Sequence, residues 1–146
     1  MSAAKSFRDL KVYQTAQEAA RLVFEESKRF PREERYSLTD QIRRSSRAIK
    51  AMLAEAWARR RYKAAFVHKI DEALGEAYET QSWLDDAVDS EYLSKESFDD
   101  LNRRYDAIGG MLSRMIDRAD DFCKFAPDTD YRSVIREGEE SPITDH

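Results

Sequence analysis

The chain has 146 residues, 41% hydrophobic and 37% charged, with four Gly, three Pro and a formal net charge of −4. That length suits one compact domain. So much charge beside so few turn residues excludes a β-sandwich, a Gly-rich nucleotide fold and a collagen-like chain, and points to long solvated helices in an all-α fold.

The first predicted helix carries Leu10, Tyr13, Ala16, Ala20, Val23 and Phe24 at helical spacing. It should end near Arg29, because the proline at 31 pushes Phe30 out of the α region. A short polar turn follows. Ser37 is the expected N-cap of the second helix, with Asp40 at the capping-box position and Thr39 as an alternative cap. Leu38, Ile42, Ile49, Leu53, Ala56 and Trp57 form its inward side. At about 100° per residue, Arg43, Arg47, Lys50 and Arg61 share a strip beside that side.

The third helix is expected from Tyr62 to Val88, with Phe66, Ile70, Ala73, Ala77, Leu84 and Ala87 inward. At 1.5 Å per residue it would be roughly 40 Å long. The fourth begins after Ser94 and turns Phe98, Leu101, Tyr105, Ile108, Leu112, Met115 and Ala119 inward, a seam of alternating three- and four-residue steps. Gly109 and Gly110 interrupt this stripe, as close packing or a bend would require. Short connections between four helices predict antiparallel neighbours in up-down-up-down order. The expected division is a four-helix bundle over residues 1–126 and an acidic, flexible tail over 127–146, which holds six acids and two arginines.

The lone Cys123 reads as a small apolar filler, and a reducing compartment follows. With no apolar leader between Met1 and Lys11 and no long apolar run, a cytoplasmic protein with no membrane partner is expected. No Gly-rich phosphate loop, Gly-x-Ser-x-Gly elbow or Cys pair is present, so no enzyme activity and no cofactor are expected. A di-iron bundle needs Glu three residues before His, yet Ala65 precedes His68 and Ile143 precedes His146 at that spacing. His68, Glu72, Glu76 and Glu79 do share one face of the third helix, but without a second His or Cys they read as a solvated acidic strip and no metal site is expected.

Charge is distributed unevenly. Ile42 to Lys69 holds nine Lys and Arg against Glu55 alone, a net of +8 that leaves −12 for the rest of the chain. Arginines one and two helical turns apart match successive phosphates, with Trp57 and Tyr62 near enough to stack on bases. The same cations would otherwise cover apolar surface and pair with acids of a neighbouring helix or subunit.

Phe7-Arg8-Asp9-Leu10-Lys11-Val12-Tyr13-Gln14, then Phe30-Pro31, then Gln41-Ile42-Arg43-Arg44 follow one another at family spacing, and Ile49, Ala54-Glu55, Phe66, Gly75 and Glu79 continue the pattern. The chain thereby resembles the rRNA intervening-sequence four-helix-bundle proteins over about Phe7 to Ala119. It departs from them where an Asn-Ile-Ala-Glu-Gly run reads Met52-Leu53-Ala54-Glu55-Ala56, and where a Ser is replaced by Glu76. The resemblance implies a left-handed bundle assembling as a homo-oligomer, typically a pentameric ring. A related branch resembles the accessory variability determinant proteins of diversity-generating retroelements, which bind nucleic acid and a reverse transcriptase through a basic surface. Arg43 and Arg44 match the family's basic pair, while Gly75 and Glu79 fit packing roles and Glu55 is placed to pair with Arg59.

The function expected is a non-enzymatic oligomer that binds RNA or DNA without base specificity. Its surface would comprise Arg43, Arg44, Arg47 and Lys50 on the second helix, with Arg59, Arg60, Arg61 and Lys63 at the start of the third. The alternative is an adaptor whose basic face meets a partner protein, and the acidic tail is a candidate competitor for that face.

Overall fold

The computed structural model describes residues 4–124, so the expected acidic tail at 127–146 lies outside the described residues. Four long helices dominate: α1 (Lys11–Ser27), α2 (Leu38–Ala58), α3 (Lys63–Asp89) and α4 (Lys95–Asp117). A single turn, α5 (Ala119–Phe122), follows, and 3-10 turns at Phe7–Asp9 and Arg32–Glu34 precede α1 and α2. The chain is an all-α four-helix bundle.

Cross-helix contacts set the directions. Arg43 meets Ser27 while Lys50 meets Tyr13, so α1 and α2 run oppositely. Thr80 meets Ser45 and Lys69 meets Glu55 across α2 and α3. Gln81 reaches Asn102 while Gly109 faces Leu74 and Tyr78 across α3 and α4. Ser97 reaches Glu26 at one end of the α4–α1 seam, and Leu10 and Val12 lie with Met115 at the other. Each helix is thus antiparallel to both neighbours, the arrangement that short connections favour.

The interior is built from Val23, Ile42, Ile49, Leu53, Phe66, Ile70, Leu84, Tyr105, Ile108 and Leu112, with Ala16, Ala19, Ala73 and Ala77 bringing backbones close. Burying one such aliphatic side chain stabilises by about 1.5–3 kcal/mol. The α2–α3 seam carries a polar pair instead, Thr80 donating to Ser45 Oγ at 2.8 Å. Tyr105 is buried with no hydrogen-bond partner for its hydroxyl among the described residues, and burial pushes its phenol far above the ordinary range.

Several expectations are corrected in detail. Ser37 occupies the N-cap position of α2, but its hydroxyl donates to Glu34 Oε1 at 2.6 Å rather than accepting from the helix. Glu34 takes the capping role, accepting from Leu38 N–H at 3.3 Å and from Tyr92 Oη at 2.9 Å. These three donors hold the Glu34 carboxyl below the usual carboxylate range, Ser37 contributing most. Ser94, by contrast, caps α4 as expected, accepting from Ser97 N–H at 3.0 Å. On α1, Val12 and Ala19 are buried while Tyr13 and Phe24 are half-buried, because these rings lie under cations of α2.

The two-glycine step in α4 produces no break, since the helix runs through it unbroken. A Cβ at Gly109 would stand 3.7 Å from Leu74, an ordinary contact. Gly75 is exposed, and among the described residues no neighbouring atom lies within 4 Å of where a Cβ would stand, so the expected packing role is not seen there. Glu55 does not pair with Arg59, because α2 ends at Ala58 and Arg59 leaves the helical register. Lys69 of α3 reaches Glu55 instead at 2.8 Å.

Candidate nucleic-acid interface

The eight basic residues singled out in the sequence do not form one strip. Arg43, Arg47 and Lys50 lie over the α1–α2 groove, Arg44 turns toward α3, and Arg59, Arg60, Arg61 and Lys63 occupy the α2–α3 turn. Lys50, the last of the first group, is nine residues before Arg59, and α2 ends at Ala58 between them. Arg61 leaves the predicted strip for the same reason as Arg59: α2 has already ended.

The α1–α2 group rests on aromatic rings. The Arg43 and Arg47 guanidinium carbons stand 4.6 Å and 5.3 Å from the Phe24 ring centroid, and Lys50 Nζ stands 5.8 Å from that of Tyr13. Arg43 Nε also donates to Ser27 Oγ at 2.7 Å. No carboxylate among the described residues lies within ion-pair distance of Arg43, Arg47 or Lys50. Cation–π contacts orient these side chains without neutralising their charge, which no described carboxylate pairs.

The α2–α3 side is arranged differently. Arg44 pairs with Glu79 Oε2 at 3.4 Å, and Glu79 also accepts from Trp83 Nε1 at 3.2 Å. Lys69 bridges Glu55 and Glu72, at 2.8 Å and 3.1 Å, and these partners raise its pKa against the opposing effect of burial. His68 lies 3.8 Å from Glu72. Glu76, the departure from the family's Ser, has one buried oxygen without a hydrogen bond. Burial first, then repulsion by Glu79 and Glu72, pushes its carboxyl up against the pull of Arg44. Among the described residues no three His, Cys, Asp or Glu are placed to hold a metal ion, since the acidic face is threaded by these cations.

At the far turn, the Arg60 guanidinium lies 3.6 Å from the Trp57 ring centroid, and Arg60 Nε donates to the Trp57 carbonyl at 2.9 Å. Trp57 is half-buried and roofed by that guanidinium, so the expected stacking surface is taken. Lys63 pairs with Asp120 at 2.8 Å. Burial first, then Asp120, raises the Cys123 thiol pKa against the opposing pull of Lys63 and Arg60.

The structure adds residues from the segment that reads in sequence as a short polar turn. Lys28, Arg32 and Arg35 join Arg43 around a concavity of ≈ 350 Å³ beside Phe30 and Pro31. A second concavity of ≈ 570 Å³ continues past Tyr36, Arg44 and Arg47. The local sequence hides this group, because Glu33, Glu34 and Asp40 nearly cancel its charge on paper. In three dimensions Glu34 is turned away, toward Tyr92 and Leu38. The signal available was the run of Arg32, Arg35 and Tyr36 leading directly into the helix that bears Arg43 and Arg47.

Comparison with known proteins follows the same lines. The family profile described as 23S rRNA-intervening sequence protein matches residues 8–114. A solved structure from the S23 ribosomal protein family of Bacteroides thetaiotaomicron, a protein of unknown function, is similar at 29% identity and a TM-score of 0.66, over 73% of this chain and 95% of that one. No curated protein matches the chain. Among the described residues, no helix is long and apolar enough to cross a membrane.

Proposed function

The chain belongs to the 23S rRNA-intervening sequence protein family, and from that premise we propose that it is a non-enzymatic, oligomeric protein that binds nucleic acid through the α1–α2 face. The observation that carries this reading is the set of cations without carboxylate partners among the described residues: Arg43, Arg47 and Lys50 on α2, with Arg32 and Arg35 beside them. An uncompensated basic face attracts phosphates over roughly a Debye length, about 10 Å at 0.1 M salt. Contacts to phosphate fix position and carry no base sequence, so binding is non-specific. Arg44 and Lys63, each committed to an acid, contribute less.

Self-association belongs to the proposal. Tyr78 is 60% exposed on α3, Leu74 is half-buried one turn earlier, and Gly75 leaves the backbone between them open. Several copies of the basic face in one ring would concentrate a field that a single subunit disperses.

The test is fluorescence anisotropy of labelled structured RNA and of duplex DNA against the full chain, with light scattering to count subunits. Binding that strengthens as salt is lowered, by a protein larger than a monomer, is the expected result. A chain that binds neither nucleic acid at low salt overturns the reading in favour of a protein partner.

A further inference from the structure

Among aromatic rings near the basic groups, Phe24, Tyr13 and Trp57 are half-buried under their own cations. Tyr36 differs. It is 86% exposed at the tip of the turn entering α2, and the Arg35 guanidinium stands 5.9 Å from its ring centroid, so most of the ring faces solvent. Its open face is available for contact.

Its position is asymmetric. On one side Tyr36 borders a concavity where Arg35, Arg43, Arg44 and Arg47 outnumber its one acid, Asp40. On the other it borders a concavity lined by Glu34 and Asp86 with Trp83 and Ser90. A polyanion crossing the ring is attracted on the first side and repelled on the second. The basic side then continues into the Lys28, Arg32 and Arg43 concavity, which has Ser27 and Thr39 hydroxyls on its wall.

From this juxtaposition we propose that the turn between α1 and α2 is a site for single-stranded nucleic acid, with one unpaired base stacked on Tyr36 and the flanking phosphates in the two basic concavities. The proposal rests on the nucleic-acid reading above and names its substrate class. In a duplex the bases are stacked on one another and cannot reach Tyr36, whereas an unpaired base offers a free face. Stacking on an aromatic side chain is sequence-tolerant.

The experiment measures affinity of the full chain and its variants for a single-stranded RNA of about twelve nucleotides, and for a duplex of equal length, at fixed salt. Tyr36→Ala is expected to weaken single-strand binding by about 5- to 150-fold and to leave duplex binding within about twofold. Tyr36→Phe, which keeps the ring, is expected to retain single-strand affinity. Arg43→Ala with Arg47→Ala is expected to weaken both ligands. If Tyr36→Ala leaves single-strand affinity unchanged while the arginine variant loses it, the single-strand site is wrong and the phosphate-binding face stands. Equal losses for Tyr36→Ala and Tyr36→Phe, or equal losses on both ligands, also overturn the site. If the wild type binds neither ligand, both readings fall.

Discussion

The two flanks of α2 carry the same residue types and treat them in opposite ways. Toward α3, Arg44 meets Glu79 and Glu55 meets Lys69, so charge is balanced across the seam. Toward α1, Arg43, Arg47 and Lys50 face Phe24, Ser27 and Tyr13, none of which is an acid. The difference arises in the neighbours: α3 presents Glu72, Glu76 and Glu79, while α1 presents rings and a hydroxyl at the matching heights. An arginine's role on a helix is therefore set by the element across the groove as much as by its own spacing. Exposed ion pairs are worth little to stability, about 0–1 kcal/mol, yet they neutralise a surface that would otherwise bind anions.

Substitution on one flank at a time breaks this comparison most sharply. Replacing Arg43, Arg47 and Lys50 together by Ala should weaken RNA binding on the order of 100-fold near 0.1 M salt. Arg44→Ala should change it by less than about threefold. Equal losses from the two flanks would remove the distinction, and an anisotropy titration of each variant decides it.

The α3 flank answers to stability instead. Lys69→Met strips Glu55 and Glu72 of their shared cation and should cost up to about 1 kcal/mol in chemical denaturation, with RNA affinity unchanged. A variant as stable as wild type would show the bridge to be without effect.

Glu76→Gln gives the smallest effect and the most informative pH dependence. Burial and the neighbouring Glu79 raise the Glu76 carboxyl in the folded chain, so its ionised form is the destabilised one. The resulting loss of stability is complete above the folded pKa and disappears as pH falls toward the unfolded value. Glu76→Gln should therefore be more stable than wild type at neutral pH, by less than about 1 kcal/mol, and equal to it near pH 4. Thermal melts across that range would reveal a difference of the opposite sign if Glu76 were favourably paired.

Much of the bundle was legible in the sequence, because helical periodicity reports burial directly. The inward sets on α3 and α4, from Phe66 to Ala87 and from Leu101 to Met115, are buried as spaced. Ser94 was legible as a cap, while Ser37 was not, since Glu34 approaches from a preceding 3-10 turn that periodicity does not register. The site was legible in part. Spacing put Arg43, Arg47 and Lys50 on one side of α2, but it could not tell which flank faced acids. It also ran the strip on to Arg61, past the end of the helix. Tyr36 and Arg35 were missed because local charge in a turn sums nearly to zero, and only the fold shows Glu34 engaged by Tyr92 and Leu38.

On this reading the α1–α2 flank carries most of the phosphate-binding charge. The most direct measurement is the slope of log affinity against log salt for RNA, compared between the full chain and its Arg43, Arg47 and Lys50 triple alanine variant. Release of three phosphate contacts should lower the magnitude of that slope by about 2 to 3 units. An unchanged slope, with the variant still folded, would contradict the account.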